Sequence, residues 1–368
     1  MRPTIRPGEP WHDTGGNRIQ AHGGSVLAHE GAFYWYGENK ERTTPGSGIW
    51  HWGVRCYRST DLCHWDDLGL IIEPTPDEPA SPLHPAQMVD RPHIIRSPQT
   101  GQFVCWLKVM HPDGTQTSTV LTAPDLLGPY TVVRTGLHPL GMSGGDFDLV
   151  VDPRDGKTYM YFERVHSELI CADLTPDGTD LTGYYSTHFP RGCPPYVREA
   201  LAYFTRRGRH YLITSGTTGY HPNPSEVALA DTYHGPWTLL GDPHPTDSSA
   251  TSFNSQISSV FRHPTKRDLY VALADRWLPG LPAAAGESFA TGAHMRAVSD
   301  HVARLADPHG NHGPEVVHEP IIEPAALEVV AAADTSIADY VWLPIRFDGE
   351  MPVIEWRDEW SPDEFDDV

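Results

Sequence analysis

The sequence predicts an all-β fold: a five-bladed β-propeller with a long insertion in the last blade. Three observations carry this prediction: a hairpin pattern that occurs five times, a short tail that follows it in register, and a composition rich in turn formers and aromatics. With 33 Gly and 35 Pro in 368 residues, turns must be frequent, and 11 Trp and 15 Tyr suit strands better than a solvated chain. Length alone allows two or three domains, or one large repeat-built domain.

Each repeat begins with a short apolar strand, turns at a Gly or a charged residue, and resumes as an aromatic-rich strand. The five segments are GSVLAHEGAFYWYGE, RPHIIRSPQTGQFVCWLKV, DFDLVVDPRDGKTYMYFER, EALAYFTRRGRHYLITSG and QISSVFRHPTKRDLYVALADRW. Period-two alternation around a turn predicts β-hairpins. The third residue past each turn is Tyr34, Val104, Tyr159, Tyr211 or Tyr270, at intervals of 70, 55, 52 and 59 residues. Each interval has room for two more strands. The tails STDLCHWDDLG, APDLLGPYTVV and ADTYHGPWTLL, with the looser ADLTPDGTDLTGYY, are expected to link or form outer strands. Five units of four antiparallel strands make a propeller; a β-sandwich would need both repeats to be accidental. Residues 1–368 are therefore read as one propeller domain.

The fifth unit breaks after ALADRW. Residues 278–334 read as an insertion, with a short helix expected over HMRAVSDHVARLAD, before strands return in ADYVWLPIRFDGE and MPVIEWRDEW. Loops of this length are usually functional or disordered.

Charge narrows the partners. The 27 Lys+Arg against 48 Asp+Glu give a net charge of −21, which argues against nucleic acid and against an anionic membrane surface. No apolar run reaches signal-peptide length or the ~20 residues of a membrane span, so a cytoplasmic protein is expected. Cys56, Cys63, Cys105, Cys171 and Cys193 have neither disulfide-framework nor zinc spacing and are expected to be free thiols. His309 and His312 lack a recognisable third ligand, so neither a metal nor a cofactor is expected. Oligomeric state leaves no signal in the sequence.

The first strand of a propeller blade lines the central channel, so side chains at its entry converge on one end of the axis. Counting back 12 to 14 residues from each marker gives His22, Asp90, Asp146, Glu199 and Gln256. All are polar and three are carboxylates, costly to bury at the mouths of apolar strands without partners. Several carboxylates across a cleft suit glycoside hydrolysis, in which one acid protonates the leaving oxygen and a second group handles water. Crowding raises the pKa of one of them and keeps it protonated near neutral pH. Glu38, Arg91, Thr217, Asn254, Asp275 and Trp277 flank the ring and, with His22, are expected to bind the sugar. Trp50 and Trp52 either extend an aromatic platform or pack on the next blade.

These residues resemble glycoside hydrolase family 43, and within it the exo-β-1,3-galactanase branch. The resemblance runs through IQAHGGSVLAHEGAFYWYGENK, GVRCYRSTDLCHWDDLG, DRPHIIRSPQTGQFVCWL, REALAYFTRRGRHYLITSGTTGY, TSFNSQ, ADRW and YVWLPIRFDGEMPVIEWRDEW. It implies an inverting enzyme that removes single galactose units from the non-reducing end of β-1,3-galactan. On this resemblance Glu199 of REA is the general acid and Asp146 the residue that tunes and orients it. The wider family's first-blade Asp is replaced by His22, and Gln256 of FNSQ stands where the branch holds the water. A neutral amide is a poor base, so Gln256 is read as a water-positioning or relay residue. Asp90 departs from the branch, which has Glu there. Without a secretion signal, short oligosaccharides are the expected substrate. The alternatives are an α-L-arabinofuranosidase or β-xylosidase on the same fold, and a sugar-binding propeller without catalysis.

Overall fold

The computed structural model describes residues 3–191, 194–280 and 333–368. They form five four-stranded antiparallel sheets, each with its strands in sequence order. Blade 1 comprises β1 (His22–His29), β2 (Ala32–Glu38), β3 (Val54–Ser59) and β4 (Asp66–Ile72). Blade 2 comprises β5 (Met88–Arg96), β6 (Phe103–Met110), β7 (Gln116–Ala123) and β8 (Thr131–Leu137). Blade 3 follows with β9 (Gly144–Val151), β10 (Thr158–Arg164), β11 (Glu168–Leu174) and β12 (Leu181–His188). Blade 4 holds β13 (Arg198–Arg206), β14 (Arg209–Gly216), β15 (Glu226–Ala230) and β16 (Thr238–Gly241). Blade 5 holds β17 (Gln256–Arg262), β18 (Tyr270–Arg276), β19 (Asp339–Asp348) and β20 (Met351–Ile354). The five-bladed propeller expected from the repeat is the fold, and the insertion separates β18 from β19 in the last blade. The expected helix, His309, His312 and Cys193 lie outside the described residues; Cys56, Cys63, Cys105 and Cys171 are free thiols.

The five markers all fall near the start of the second strand of their blades. The tails turn the chain from the third strand to the fourth. In STDL, Ser59 Oγ accepts from the Leu62 N–H at 2.9 Å while Asp61 Oδ1 accepts from Cys63 and His64, both at 2.8 Å. The Asp satisfies the turn's own amides, and Asp125 does the same in the second tail by accepting from the Leu127 N–H at 3.0 Å, which is why the Asp recurs.

The core is divided among five radial seams between neighbouring blades. Alternation along β6 explains why: Phe103, Cys105, Leu107 and Val109 pack with blade 1, whereas Val104 and Trp106 pack with blade 3. A strand buried on both faces reads as a continuous apolar run, and FVCWL is such a run. Ring closure falls on the seam between blades 5 and 1. There Trp35, Tyr57, Trp65, Tyr340, Trp342 and Trp360 form one cluster with Trp11 packed against it. The N-terminal segment fastens the seam, with Ile5 and Trp360 exchanging backbone bonds of 2.7 and 3.0 Å.

One irregularity positions the site. In all five blades the pairing of first and second strands slips near the channel entry: between His22 and Ser25, Asp90 and His93, Gly144 and Phe147, Glu199 and Ala202, and Ile257 and Ser259. Gly23, Arg91 and Ala200 there have φ of 62°, 55° and 50°. Such bulges bend a strand and re-aim its side chains. The matched polar residues of the sequence sit at or beside these bulges.

Candidate active site

At the channel mouth, carboxylates and cations alternate. Glu38 pairs with Lys40 at 2.8 Å, and Lys40 lies 3.5 Å from Asp90. Lys108 lies 3.4 Å from Asp90 and 2.7 Å from Asp146, and Arg91 Nη2 lies 3.0 Å from Asp146. Arg91 Nη2 also donates to Gln256 Oε1 at 2.5 Å, while its backbone N–H donates to Glu38 Oε1 at 2.8 Å. Lys40, Lys108 and Arg91 are buried, so their charges are tolerated only because each faces a carboxylate.

The same charges sort the acids. Burial raises the Glu199 carboxyl well above the usual range, and Asp146 and Glu163 push it further. Burial also opposes ionisation of Asp146, but Arg91 and Lys108 overcome it and hold that carboxyl low. Lys108 and Lys40 likewise outweigh burial at Asp90, which stays ionised. Burial lifts Glu38 to about 7, against the pull of Lys40. An acid pushed well above the usual range thus stands beside two carboxylates, Asp146 and Asp90, held low, the division of labour that acid catalysis at neutral pH requires.

Glu199 is half-buried at the second position of β13, and the bulge sends the next N–H, that of Ala200, to Asp146 Oδ2 at 3.1 Å. Gln256 Nε2 donates to Glu199 Oε1 at 3.2 Å and to Ser215 Oγ at 2.9 Å. Gln256 Oε1 accepts from Arg91 and, at 3.3 Å, from Trp277 Nε1. The segment leading to Gln256 is tightly wound: Ser252, Phe253 and Asn254 all have positive φ, of 53°, 58° and 56°. Asp247 Oδ2 holds it by accepting from the Thr251 and Phe253 N–H groups, both at 2.9 Å.

The sequence of residues 19–288 matches the model of glycosyl hydrolases family 43. The chain belongs to that family. Family 43 is a family of glycosyl hydrolases. A search of curated proteins finds no match. Among solved structures, a GH43 β-1,3-galactosidase is 26% identical over 98% of this chain and 64% of its own, with a TM-score of 0.76. A second GH43 β-1,3-galactosidase, solved with galactodeoxynojirimycin, is 26% identical over 97% of this chain and all of its own, with a TM-score of 0.73. An exo-β-1,3-galactanase from Phanerochaete chrysosporium, bound to β-1,3-galactotriose, shares the fold at 22% identity, covering 97% of this chain and 68% of its own, with a TM-score of 0.74. This family 43 chain thus spans slightly under two thirds of the first of these structures.

Glu199, Asp146, Asp90, Gln256, Glu38 and Arg91 share one connected network. His22 is set apart. It has no accessible surface, and its rings' nitrogens face Asp275 at 3.1 Å and both Gln20 and Tyr340 at 3.2 Å. Burial lowers its pKa despite the Asp275 bond, so the imidazole is neutral. Asp275 spends its other oxygen on the Gly23 N–H at 3.1 Å. This pair braces the first bulge, and Trp277, 5.5 Å from the His22 ring, joins it to Gln256. Thr217 Oγ1 donates to Val197 O at 2.8 Å, and Asn254 Nδ2 points to Leu278 O at 3.5 Å. Arg276 turns away from the mouth to the carbonyls of Phe253, Asn254 and Gly8.

Sequence reasoning missed Lys40, Lys108 and Ser215. A lysine inside the apolar strand FVCWLKVM is the signal that was available for Lys108, since a buried amine needs an acid opposite it. Trp50, weighed between platform and packing, donates Nε1 to Asp90 Oδ1 at 2.7 Å. Among the described residues no group of three or more His, Cys, Asp or Glu is placed to hold a metal.

Proposed function

We propose that this chain is an inverting, exo-acting β-1,3-galactosidase that releases galactose from short β-1,3-linked galacto-oligosaccharides. The observation that carries the mechanism is the setting of Glu199: half-buried at the mouth, its carboxyl pushed well above the usual range by burial and by Asp146, and bonded among the described residues through one oxygen only. Gln256 donates to Oε1, so Oε1 is the carbonyl oxygen and the proton resides on Oε2. That proton passes to the glycosidic oxygen as the bond to the anomeric carbon breaks. Asp146 keeps it in place until then and fixes the backbone beside it.

Water attacks the anomeric carbon from the opposite face. Asp90, ionised and two blades away from Glu199, takes the water's proton. Gln256 positions the water once the sugar separates its amide from Glu199. Glu38 and Arg91 bind hydroxyls, and His22, Asp275 and Trp277 support the wall behind them. The galactose assignment is supported by the two 26%-identical β-1,3-galactosidases and by the REA and FNSQ segments.

The test is incubation with β-1,3-galactobiose, followed by proton NMR. The expected first product is α-galactose, with aryl α-L-arabinofuranosides and β-xylosides turned over far more slowly. A β-galactose first product would sink the inverting mechanism, and a preference for the pentosides would reassign the sugar. Glu199→Gln is expected to slow hydrolysis by at least ~10²-fold while galactose still binds. Unchanged hydrolysis in that variant would remove Glu199 from the role.

A further inference from the structure

Tyr220 belongs to the SGTTGYHPN loop after β14, and nothing above gives it a part in the reaction. Its ring lies 6.3 Å from Trp50 at 25° and 5.1 Å from Trp277 at 40°. Those two indoles are anchored at their far ends on site residues, Trp50 on Asp90 and Trp277 on Gln256. The three rings therefore form an arc from blade 2's carboxylate to blade 5's amide, with Tyr220 as its middle member. Because Trp50 and Trp277 pack against the phenol ring, its hydroxyl edge is what remains for a ligand. Burial, with the charges of Asp90, Glu38 and Asp146 acting against Arg91, raises that phenol further above its ordinary pKa, so the hydroxyl keeps its proton to donate. No described residue takes it as a hydrogen-bond partner. An aromatic hydroxyl packed between two site indoles and without a partner among the described residues is a donor open to a ligand oxygen.

We propose that Tyr220 is a specificity-determining residue whose hydroxyl bonds a hydroxyl of the terminal sugar, and that Trp50 and Trp277 hold it in register. The inference rests on the galactosidase reading for the identity of that sugar, but not for the contact itself. A merely structural Tyr220 would be satisfied by Phe, which fills the same space between the two indoles.

The experiment compares wild type with Tyr220→Phe and Tyr220→Ala. Melting temperature reports folding, titration calorimetry measures binding of D-galactose, L-arabinose and D-xylose, and kcat and KM are measured on β-1,3-galactobiose. Tyr220→Phe is expected to melt like wild type, to weaken galactose binding about tenfold, and to raise KM by a similar factor with kcat less affected. Tyr220→Ala is expected to lose about 10²-fold in binding. If the wild type binds arabinose or xylose instead, the galactose reading fails, and a tenfold loss of that sugar in Tyr220→Phe still upholds the contact. A Tyr220→Phe variant with unchanged affinity and KM overturns the inference, as does a wild type that binds none of the three sugars.

Discussion

Asp146 shows how one carboxylate serves two ends. It neutralises Arg91 and Lys108, and its negative charge keeps the proton on Glu199. In Asp146→Asn the carboxylate is gone and both cations face Glu199 without it, so the acid's pKa falls. In the mechanism proposed above activity requires protonated Glu199, so it is lost as pH rises through that pKa. The basic limb of the pH–kcat profile is therefore expected to move to lower pH in Asp146→Asn, with a lower maximum. A basic limb that stays in place would show that Asp146 does not set the acid. At this scale the sequence was legible where position alone decides: matched strand entries revealed Asp146, Glu199, Asp90 and Gln256. It was opaque where partners decide. Nothing local in QAHGGS shows that His22 is enclosed by Asp275, Gln20 and Tyr340, because those contacts span up to 318 residues.

The strand entries are where the fold hands side chains to the site, and glycines make the first one possible. A Cβ on Gly24 would meet Tyr36 O at 1.9 Å, and one on Gly37 would meet Ala21 C at 2.2 Å. Both obstacles are backbone, so neither can step aside. Gly24→Ala or Gly37→Ala is expected to destabilise the protein by at least ~2 kcal/mol, read as a lower denaturant midpoint. An unchanged midpoint would mean that β1 and β2 are not held this closely. The hairpins and the Asp-containing turns of the tails were readable because their signals are local, alternation for one and a self-capping side chain for the other. The bulges were not, since a bulge shows itself as a shift in phase of the alternation, and first strands such as β5, β9 and β17 are buried at nearly every position, so there is no alternation to shift.

At the scale of the molecule, the register Arg276↔Asp339 brings the two ends of the insertion side by side at the base of a hairpin. Replacing residues 281–332 with a short Gly/Ser linker is therefore expected to leave the ring folded, because loop-closure cost changes slowly with length and the hairpin ends are already adjacent. A cooperative melt close to that of wild type would bear this out; loss of the folded state would show that the insertion is built into the ring. The repeat announced five blades, but which seam closes the ring was hidden: it depends on Ile5 meeting Trp360, from opposite ends of the chain. That closure reaches the chemistry. Arg276 bonds the carbonyl of Gly8 as well as those of Phe253 and Asn254, three and two residues ahead of Gln256. The N-terminal segment thus helps to set Gln256, the last member of the polar network at the channel mouth. A refolding chain with four seams formed and the fifth open has its acid and its ionised carboxylates but lacks a settled Gln256, so recovery of turnover times the moment at which the ring shuts.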